Sequence, residues 1–556
     1  MTMEKFDINN YKEFNIVLQQ LNELIGKQSK HIKELIHIGE SLSAKNSLVN
    51  IFTLILNEAM DYANADGGTI YIVSNDKKFL DFKLTCNKSL NLRMGNVDAP
   101  ITWPSIPLYL KTGLANMSYM VSYVYHTKDS KTFDDVYEQK LFDNAGTQKF
   151  DTRNKYRSES MAAIPLINHE DVVMGVIQLI NAMDNDGNII PFGTDHIEML
   201  NSLASQAAIS LSNTRLIENL EELLLQFIKS IGSAIDRKSK YTAGHVKRVA
   251  TLTEEIAQRI NEDEDGFFKD VYFNGDQLKE LSMAGWMHDV GKIVTPEYIM
   301  DKSTKLQTII DRIELIKIRC ELLKQVIKKD INKLQLDSKL TKEKKQELIK
   351  ISNQIDQDIS LIEKMNFGVE KFSDENKNEI KRIYSFSYFS EGKEYKIISE
   401  DEMKNLMISR GTLTDDEFAI MKDHAQVTWE MLSTLQFPKK YENVPLYAAS
   451  HHERLDGGGY PNNLPEAKIP MQARIIAVAD VFEALLSIRP YKKGKKISEA
   501  LKIMALMVRD HQIDKNVMDI LLDSGLYMSF AKKIAKPEQI DNVDINIFKS
   551  IYHIEK

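Results

Sequence analysis

Five histidines and two aspartates between residues 245 and 480 have the types and order of metal ligands. They occur in YTAGH, HDVGK, MKDHA, HHERLDGGGYP and AVAD, as His245, His288, Asp289, His424, His451, His452 and Asp480. A buried aspartate beside a buried histidine needs a compensating partner, and a divalent ion supplies one. Imidazole and carboxylate together suit iron, manganese, zinc or cobalt rather than calcium. Seven such groups are too many for one ion and about right for two, with Asp289 bridging them. Taken alone, HHERLDGGGYP also fits a polar glycine-rich loop, and HD is a common dipeptide.

These motifs together resemble the HD-GYP family, the metal-dependent cyclic di-GMP phosphodiesterases of the HD superfamily. The segments HDVGK, HHE…DGGGYP and ARIIAVADVFEALLSIRPYKK follow the order of that family over about residues 230–530, apart from one interruption. The resemblance implies that the seven residues above hold two divalent ions. Iron or manganese is expected first, and zinc, cobalt or nickel are the alternatives.

The resemblance also implies roles for residues beside the ligands. A hydroxide that bridges the ions would attack phosphorus, with Asp289 and Lys292 as catalytic residues that support the ions and the developing charge. The implied substrate contacts are Lys292, Gly459, Tyr460, Arg489 and Lys492. Without the resemblance, each of these would be interpreted as an ordinary surface residue.

Two positions depart from the family pattern. Tyr241 stands where some members have a glutamate that helps to bind a third ion, so two ions are expected. Glu483 stands where many members have aspartate, so a contact made by that carboxylate is expected to shift.

Residues 45–215 have the pattern of a helix, an antiparallel sheet and a departing helix. SLVNIFTLILNEAMDYANA is helical, DGGTIYIVSN alternates as a strand does, and DNDG at 184–187 forms a turn between strands. This order resembles a GAF sensor domain. The residues typical of cyclic-nucleotide-binding members match only in part, at Asn181, Phe192 and Asp195. The domain therefore either senses an unknown small molecule or mainly dimerises.

Helices flank this domain on both sides. Residues 1–44 form an N-terminal helix, and residues 216–232 form a connector that continues the last helix of the domain to about Arg237. Both carry apolar stripes, which serve either a homodimeric coiled coil or packing within the chain.

An insertion of about residues 307–408 interrupts the second domain, which spans 233–530. Two long amphipathic segments joined by QLDSKLT predict an antiparallel helical hairpin, and a glycine-containing aromatic segment predicts a small β-hairpin after it. The insertion is interpreted as a regulatory lid, a dimerisation element or a site for a partner protein. Residues 531–556 are expected to form a C-terminal tail.

The bulk properties describe a multidomain chain of 556 residues with a formal net charge of −8, which argues against a protein that binds a nucleic-acid polymer. The two cysteines, Cys86 and Cys320, suggest no disulfide framework. We find neither a signal-peptide pattern nor an apolar run of about 18 residues, so a cytoplasmic protein without a membrane span is expected.

The sequence therefore predicts an α+β multidomain protein: a GAF domain, with an antiparallel sheet flanked by helices, joined by a long helix to an all-α HD-GYP domain with an inserted helical hairpin. Its expected activity is hydrolysis of cyclic di-GMP to linear pGpG, with further cleavage to GMP left open, under regulation by the GAF domain. The alternatives are an HD phosphohydrolase for another cyclic dinucleotide or nucleotide, and a catalytically weak receptor for a cyclic dinucleotide.

Overall fold

The computed structural model describes residues 48–95, 99–238, 244–368, 373–487 and 494–553. The chain divides into two compact units between Glu222 and Leu223. The predicted N-terminal helix over 1–44 lies outside the described residues, as do Tyr241, Arg489 and Lys492. Among the helices that are described, none combines the length and the apolarity needed to cross a bilayer.

The first unit is an antiparallel sheet with helices on its faces. Its elements are Leu48–Tyr62 (α1), Ala65–Val73 (β1), Phe79–Asn87 (β2), Leu92–Met94 (β3), Ile106–Pro107 (β4), Met120–Thr127 (α2), Lys131–Phe133 (β5), Ala145–Asn154 (α3), Met161–Ile167 (β6), Val173–Met183 (β7) and Ile189–Ile190 (β8). The strand order is β3-β2-β1-β7-β6-β5, with β4 beside β2 and β8 beside β7. The predicted antiparallel sheet is therefore confirmed, as is the turn at DNDG, where Asp184 N–H donates to Asn188 O over 2.9 Å.

Both faces of this sheet are covered, which explains why every residue of the central strand β1 is buried. One apolar cluster joins the sheet to α1 through residues such as Ile51 and Ile55. A second cluster, on the other face, joins it to α2 through Val121 and Val124. The first unit thus has a core on each side of its sheet.

A single helix of 43 residues, Thr194–Asp236 (α4), confirms the predicted continuous connector. Its first part contributes Leu203 and Ala207 to the core of the first unit. Its last part contributes Ile228 and Ile235 to the core of the second unit. A row of exposed apolar side chains lies between the two buried parts: Leu216, Ile217, Leu220 and Leu223.

In its described residues the second unit is helical apart from one small hairpin and two isolated β-bridges. Its principal helices are His245–Asn261 (α5), Gly275–Met287 (α6), Glu297–Met300 (α7), Ile313–Leu336 (α8), Lys342–Asn366 (α9), Asp374–Ser385 (α10), Glu400–Leu406 (α11), Asp415–Ser433 (α12), Val444–Ala449 (α13), Met471–Leu486 (α14), Ile497–Arg509 (α15), Lys515–Asp523 (α16), Leu526–Ile534 (α17) and Ile545–Tyr552 (α18). The segment that we expected to be a C-terminal tail contains α18, and its residue Phe548 is 6% exposed and packs in the core. That expectation is therefore corrected, because the amphipathic pattern of this short helix buries one apolar face.

The insertion forms the predicted antiparallel helical hairpin. Two ion pairs join α8 to α9, between Lys317 and Glu363 and between Lys324 and Asp356, each at 2.9 Å. Because the partner moves back along α9 as the lysine moves forward along α8, the helices run in opposite directions. The predicted small β-hairpin is also present, with Tyr388–Ser390 (β9) paired to Lys393–Tyr395 (β10). The insertion has an apolar cluster of its own, in which Cys320 is fully buried.

A buried lysine attaches the insertion to the helix that carries His424. Lys302 is 0% exposed at its side chain, and its Nζ donates to both carboxylate oxygens of Glu417 on α12, at 2.9 and 2.8 Å. The third donor goes to Oδ1 of Asn405 on α11 at 3.0 Å. All three ammonium protons are therefore satisfied, which a buried charge requires.

We expect Lys302→Met to destabilise the second unit by about 3 to 5 kcal/mol, because it leaves the Glu417 carboxylate partly buried without its cation. A urea titration followed by circular dichroism measures this loss. The control is Lys324→Met, which removes a largely exposed ion pair with Asp356 and is expected to cost roughly 0 to 1 kcal/mol. Equal stability of the two variants would contradict the prediction.

Candidate metal centre

Five separate elements bring the predicted ligands together in the second unit. His245 is the first residue of α5, His288 follows the end of α6, and Asp289 precedes a short 3-10 turn at Val290–Ile293. His424 lies in the middle of α12. The remaining ligands are His451 and His452, directly after α13, and Asp480 on α14. The structure thus places all seven residues around one centre, although they are up to 235 positions apart in the sequence.

The carboxylate of Asp289 lies at the middle of this centre, with its two oxygens facing different histidines. Oδ2 lies 3.4 Å from His245 Nε2 and 3.3 Å from His288 Nε2. Oδ1 lies 3.5 Å from His424 Nε2 and 3.9 Å from His451 Nε2. Asp289 itself is only 2% exposed. This is the arrangement of a carboxylate that could bridge two ions.

Four of the imidazole rings are fixed through their Nδ1 atoms. The Nδ1 atoms of His288, His424 and His451 lie within hydrogen-bond distance of the carbonyl oxygens of Gly285, Met421 and Ala448. His245 Nδ1 lies 2.6 Å from Oε2 of Glu483. Since a carbonyl or carboxylate oxygen only accepts, each Nδ1 carries a proton, and Nε2 is the ring atom that a cation at the centre would bind.

The atoms that face the centre lack hydrogen-bond partners among the described residues. They are buried, and they comprise Nε2 of His245, His288, His424 and His451 together with Asp289 Oδ1. Leaving one buried acceptor unsatisfied costs about 1 to 3 kcal/mol, so five around one point require an explanation. A divalent cation satisfies all of them at once, and imidazole nitrogen with carboxylate oxygen is the donor set that such a cation takes. These residues therefore fit a metal ion.

Two groups of these side chains have donor atoms close enough to hold separate ions. His245, His288 and Asp480 form one group, which we call the His245 site, and His424, His451 and His452 form the other, which we call the His424 site. Within each group the donor atoms lie within 4.8 Å of one another. A third group of His288, Asp289 and His451 lies between them and connects the two sites.

The charges around the centre favour a cation. Burial opposes ionisation of Asp289, but the neighbouring Lys292 and His288 outweigh it and hold the pKa of that carboxyl well below its usual range. Burial likewise opposes a charge on His245, yet Glu483 and Asp289 raise the pKa of its imidazole to about 10. Burial and the charge of His288 lower the pKa of His451 to about 3, so this ring stays neutral as a metal ligand must.

Glu483 holds His245 in place, a contact that the sequence analysis did not identify. Burial opposes ionisation of Glu483, but His245 and Arg248 outweigh it and lower the pKa of the carboxyl to about 2. Its other oxygen accepts a hydrogen bond from Nε of Arg248 at 2.7 Å. The sequence marked Glu483 as a departure from the family pattern and placed it three residues after Asp480, on the same helical face, but it did not identify His245 as the partner.

The glycine of HDVGK allows α12 to approach the His288–Asp289 pair. A Cβ atom on Gly291 would lie 1.9 Å from the carbonyl oxygen of His424 and 2.7 Å from the backbone nitrogen of Thr428. The N–H of Gly291 donates to Thr428 Oγ1 at 3.0 Å, and that hydroxyl in turn donates to His288 O. Backbone contact therefore sets the distance between His424 and Asp289.

Two of the predicted substrate contacts, Lys292 and Tyr460, lie beside the centre and are partly exposed. The ammonium of Lys292 contacts Asp289 Oδ2, and its side chain is 17% exposed. The ring of Tyr460 lies 4.7 Å from that of His452, and burial together with Asp480 raises the pKa of the Tyr460 phenol. These partly exposed groups form the side of the centre that a substrate can reach.

Gly459 is required by packing within its own loop. A Cβ atom there would lie 2.3 Å from the backbone nitrogen of Arg454 and 2.5 Å from Glu453 Cα. Its predicted contact with a substrate stays a prediction. Glu453 closes the same loop by accepting from the backbone N–H groups of Asn462 and Leu464.

Known families match both units of the chain. The sequence profile of the GAF domain matches residues 47–211, and two profiles of the HD domain match residues 242–364 and 399–517.

Three relatives show what a part of the chain is similar to. The cyclic di-GMP phosphodiesterase response regulator RpfG of Xanthomonas campestris is 43% identical over 119 residues, which are 21% of this chain and 31% of that protein. A protein of Thermotoga maritima named cyclic di-GMP phosphodiesterase is 42% identical over 97 residues, 17% of this chain and 26% of the relative. The 3'3'-cGAMP-specific phosphodiesterase 1 of Vibrio cholerae is 38% identical over 112 residues, 20% of this chain and 25% of the relative.

The chain therefore spans less than a third of the length of each of these relatives. It combines a GAF domain with an HD domain and is similar to proteins named as cyclic di-GMP and 3'3'-cGAMP phosphodiesterases, which is consistent with an HD-GYP protein that has an N-terminal GAF domain.

Proposed function

We propose that this protein is a metal-dependent phosphodiesterase that hydrolyses cyclic di-GMP to linear pGpG. The observation that carries the proposal is the central position of Asp289, whose two oxygens face separate sets of buried imidazole nitrogens without hydrogen-bond partners among the described residues. Such a set suits two adjacent cations, and paired cations are a recurrent means of cleaving phosphodiesters. The relatives named as cyclic di-GMP phosphodiesterases support the choice of substrate.

In this proposal seven residues hold the two ions. They are His245, His288, Asp289, His424, His451, His452 and Asp480. Iron or manganese suits the mixture of imidazole and carboxylate, with zinc, cobalt or nickel as alternatives. When bound, the ions activate water and neutralise charge on the phosphoryl oxygens.

The remaining residues position the substrate and stabilise charge. The Lys292 ammonium lies at the exposed side of the centre beside Asp289, where it can also bind a phosphate oxygen as the reaction adds charge to it. Tyr460 presents its ring beside His452, where it can stack on a guanine base. Arg489 and Lys492 are proposed to bind the second phosphate or a base edge.

A second candidate function is hydrolysis of 3'3'-cGAMP. The similarity to the Vibrio cholerae protein named as specific for that dinucleotide favours it. Both substrates have the same two phosphodiester linkages, so the same metal centre can serve either. The difference between them is one purine base, which the exposed side of the centre rather than the ions must recognise.

We also propose that the GAF domain, residues 45–215, regulates this activity in a homodimer held by the connector. The exposed side chains Leu216, Leu220, Leu223 and Phe227 follow one another on α4 at spacings of four, three and four residues. This is the heptad spacing of a two-stranded coiled coil, so the occupant that fits this stripe is the same stripe of a second copy. The ligand of the GAF domain is a small molecule that the chain does not identify.

The metal proposal predicts the ion content of three variants. Anaerobically purified wild-type protein is expected to hold about two ions per chain, His424→Ala about one, and Asp289→Ala fewer than about one, because Asp289 faces both sites. Elemental analysis by mass spectrometry measures these ratios. His169→Ala, which removes an exposed histidine in the first unit, is the control and should match the wild type. Two ions retained in Asp289→Ala would exclude Asp289 as a shared ligand.

The substrate proposal is tested with a panel of cyclic dinucleotides in the presence of Mn²⁺ or Fe²⁺. Chromatography should show wild-type protein converting cyclic di-GMP to pGpG, and Asp289→Ala should be slower by more than about 100-fold, because it loses the shared ligand of the ions. Turnover of 3'3'-cGAMP alone would favour the second candidate. Tight binding of a cyclic dinucleotide without turnover would instead indicate a receptor.

The dimer proposal is tested on the exposed stripe of α4. The double variant Leu220→Lys/Phe227→Lys places like charges in the proposed seam, so we expect it to be monomeric while the wild type is dimeric. Light scattering after size-exclusion chromatography measures the mass. Asn219→Lys adds a charge at an exposed position of the same helix outside the stripe, and it should stay dimeric. A dimeric double variant would place the interface elsewhere.

A further inference from the structure

The last turns of α4 contact two elements that carry ligands of the His245 site. Gly232 faces α6 so closely that a Cβ atom would lie 2.7 Å from the carbonyl oxygen of Trp286, two residues before His288. The same Cβ atom would lie 3.1 Å from Val246, the residue after His245. The ammonium of Lys229 lies 5.9 Å from the centre of the Trp286 ring. One face of α4 therefore packs against both α5 and α6.

Lys238, just beyond the end of α4, binds the chain immediately after Asp289. Its Nζ donates hydrogen bonds to the carbonyl oxygens of Lys292, Ile293 and Thr295, at 3.1, 2.6 and 2.7 Å. Charge-assisted hydrogen bonds of this kind are stronger than bonds between neutral groups. Because three carbonyls of one turn converge on a single ammonium, the position of Lys238 fixes the position of that turn.

Asp236, the last residue of α4, holds the beginning of α5. Its two carboxylate oxygens each accept from the backbone N–H of Val246, at 3.2 Å. Asp236 is 5% exposed, and it lies at the positive end of the helix dipole of α5. The first residue of that helix is the ligand His245. The end of α4 thus makes hydrogen bonds to the backbone at two places. Asp236 bonds to the residue after His245, and Lys238 bonds to the turn that follows Asp289.

We propose that the end of α4, through Gly232, Asp236 and Lys238, positions the His245 site and acts selectively on the ion held there. The inference rests on the proposed metal centre and adds a role for residues that are not ligands. His245 and His288 belong to different helices, and the contacts described above connect both helices to α4. The His424 site is carried instead by α12 and by the residues after α13. A displacement of α4 is therefore expected to change the geometry of the first site more than that of the second, which shares only the turn after Asp289 with these contacts.

Replacing a residue that orients a metal ligand without touching the metal weakens metal affinity by roughly 10- to 100-fold. Lys238→Met removes the three hydrogen bonds and keeps the length of the aliphatic chain. Gly232→Ala adds a Cβ atom that must push α4 away from Trp286. Both changes act on the His245 site by different means, so both should weaken metal binding there more than at the His424 site. Lys238→Arg retains a charged donor and should retain most of the affinity.

The test measures Mn²⁺ binding by calorimetry to full-length protein stripped of metal, in two backgrounds. His424→Ala disables one site and leaves the His245 site, whereas His245→Ala leaves the His424 site. In the His424→Ala background, Lys238→Met or Gly232→Ala should weaken Mn²⁺ binding by about 10- to 100-fold. In the His245→Ala background the same changes should weaken Mn²⁺ binding by a clearly smaller factor, because the His424 site shares only the turn after Asp289 with the end of α4. Lys247→Met, at an exposed position of α5, is the matched control and should leave the Mn²⁺ affinity unchanged in both backgrounds.

Equal weakening in both backgrounds would overturn the inference, because it would indicate a general loss of structure. No weakening in the His424→Ala background would overturn it as well. Thermal unfolding of the metal-free variants identifies a purely structural effect, which would lower stability without separating the two backgrounds. Failure of the proposed function is distinguishable, since wild-type protein itself would then bind no Mn²⁺.

Discussion

The structure of the second unit depends on one buried carboxylate, that of Asp289, among imidazole rings that all turn their Nε2 atoms toward it. A carboxylate removed from water costs several kcal/mol unless cations or donors surround it. Lys292 supplies one positive charge on the exposed side. Three of the rings facing the inner side are held by carbonyl oxygens three residues earlier in the chain, so they cannot turn to donate to the carboxylate. The interior is therefore arranged for a cation, and the backbone contact at Gly291 keeps its two halves at a fixed separation.

The groups around this centre are of two kinds, buried groups that suit the ions and partly exposed groups that suit recognition of a substrate. The inner groups, such as His288 at 0% exposure, are held by rigid helix ends and suit the ions. The outer groups Lys292 and Tyr460, which are not among the proposed ligands, are partly exposed at the side where we propose that a substrate binds. A change of substrate can thus occur at the outer groups without disturbing the ligands.

Two attachments reach the centre from outside the HD helices. The end of α4 contacts the residues beside His245 and Asp289 through Asp236 and Lys238. The insertion is attached through Lys302 to Glu417 on α12, the helix that carries His424. A second lysine, Lys305, donates to the carbonyl oxygens of Leu406 and Ile408, and burial lowers its pKa to about 8. Lys302 and Lys305 are buried and therefore tolerate little displacement of their partners, so the attachment of the insertion is stiff.

The sequence by itself determined the features that depend on nearby residues. The hairpin of α8 and α9, the turn at DNDG and the continuous α4 follow from local periodicity and turn residues, and the seven ligand candidates follow from short motifs. The C-terminal segment was mispredicted because one short amphipathic helix gives a weak signal unless its packing surface is known. Only the tertiary structure decided that Glu483 orients His245, that Lys238 binds the turn after Asp289, and that Gly459 packs within its own loop. Such contacts join positions that are distant in sequence or depend on the path of a loop, and they arise only when packed helices fix the backbone to within a few tenths of an ångström.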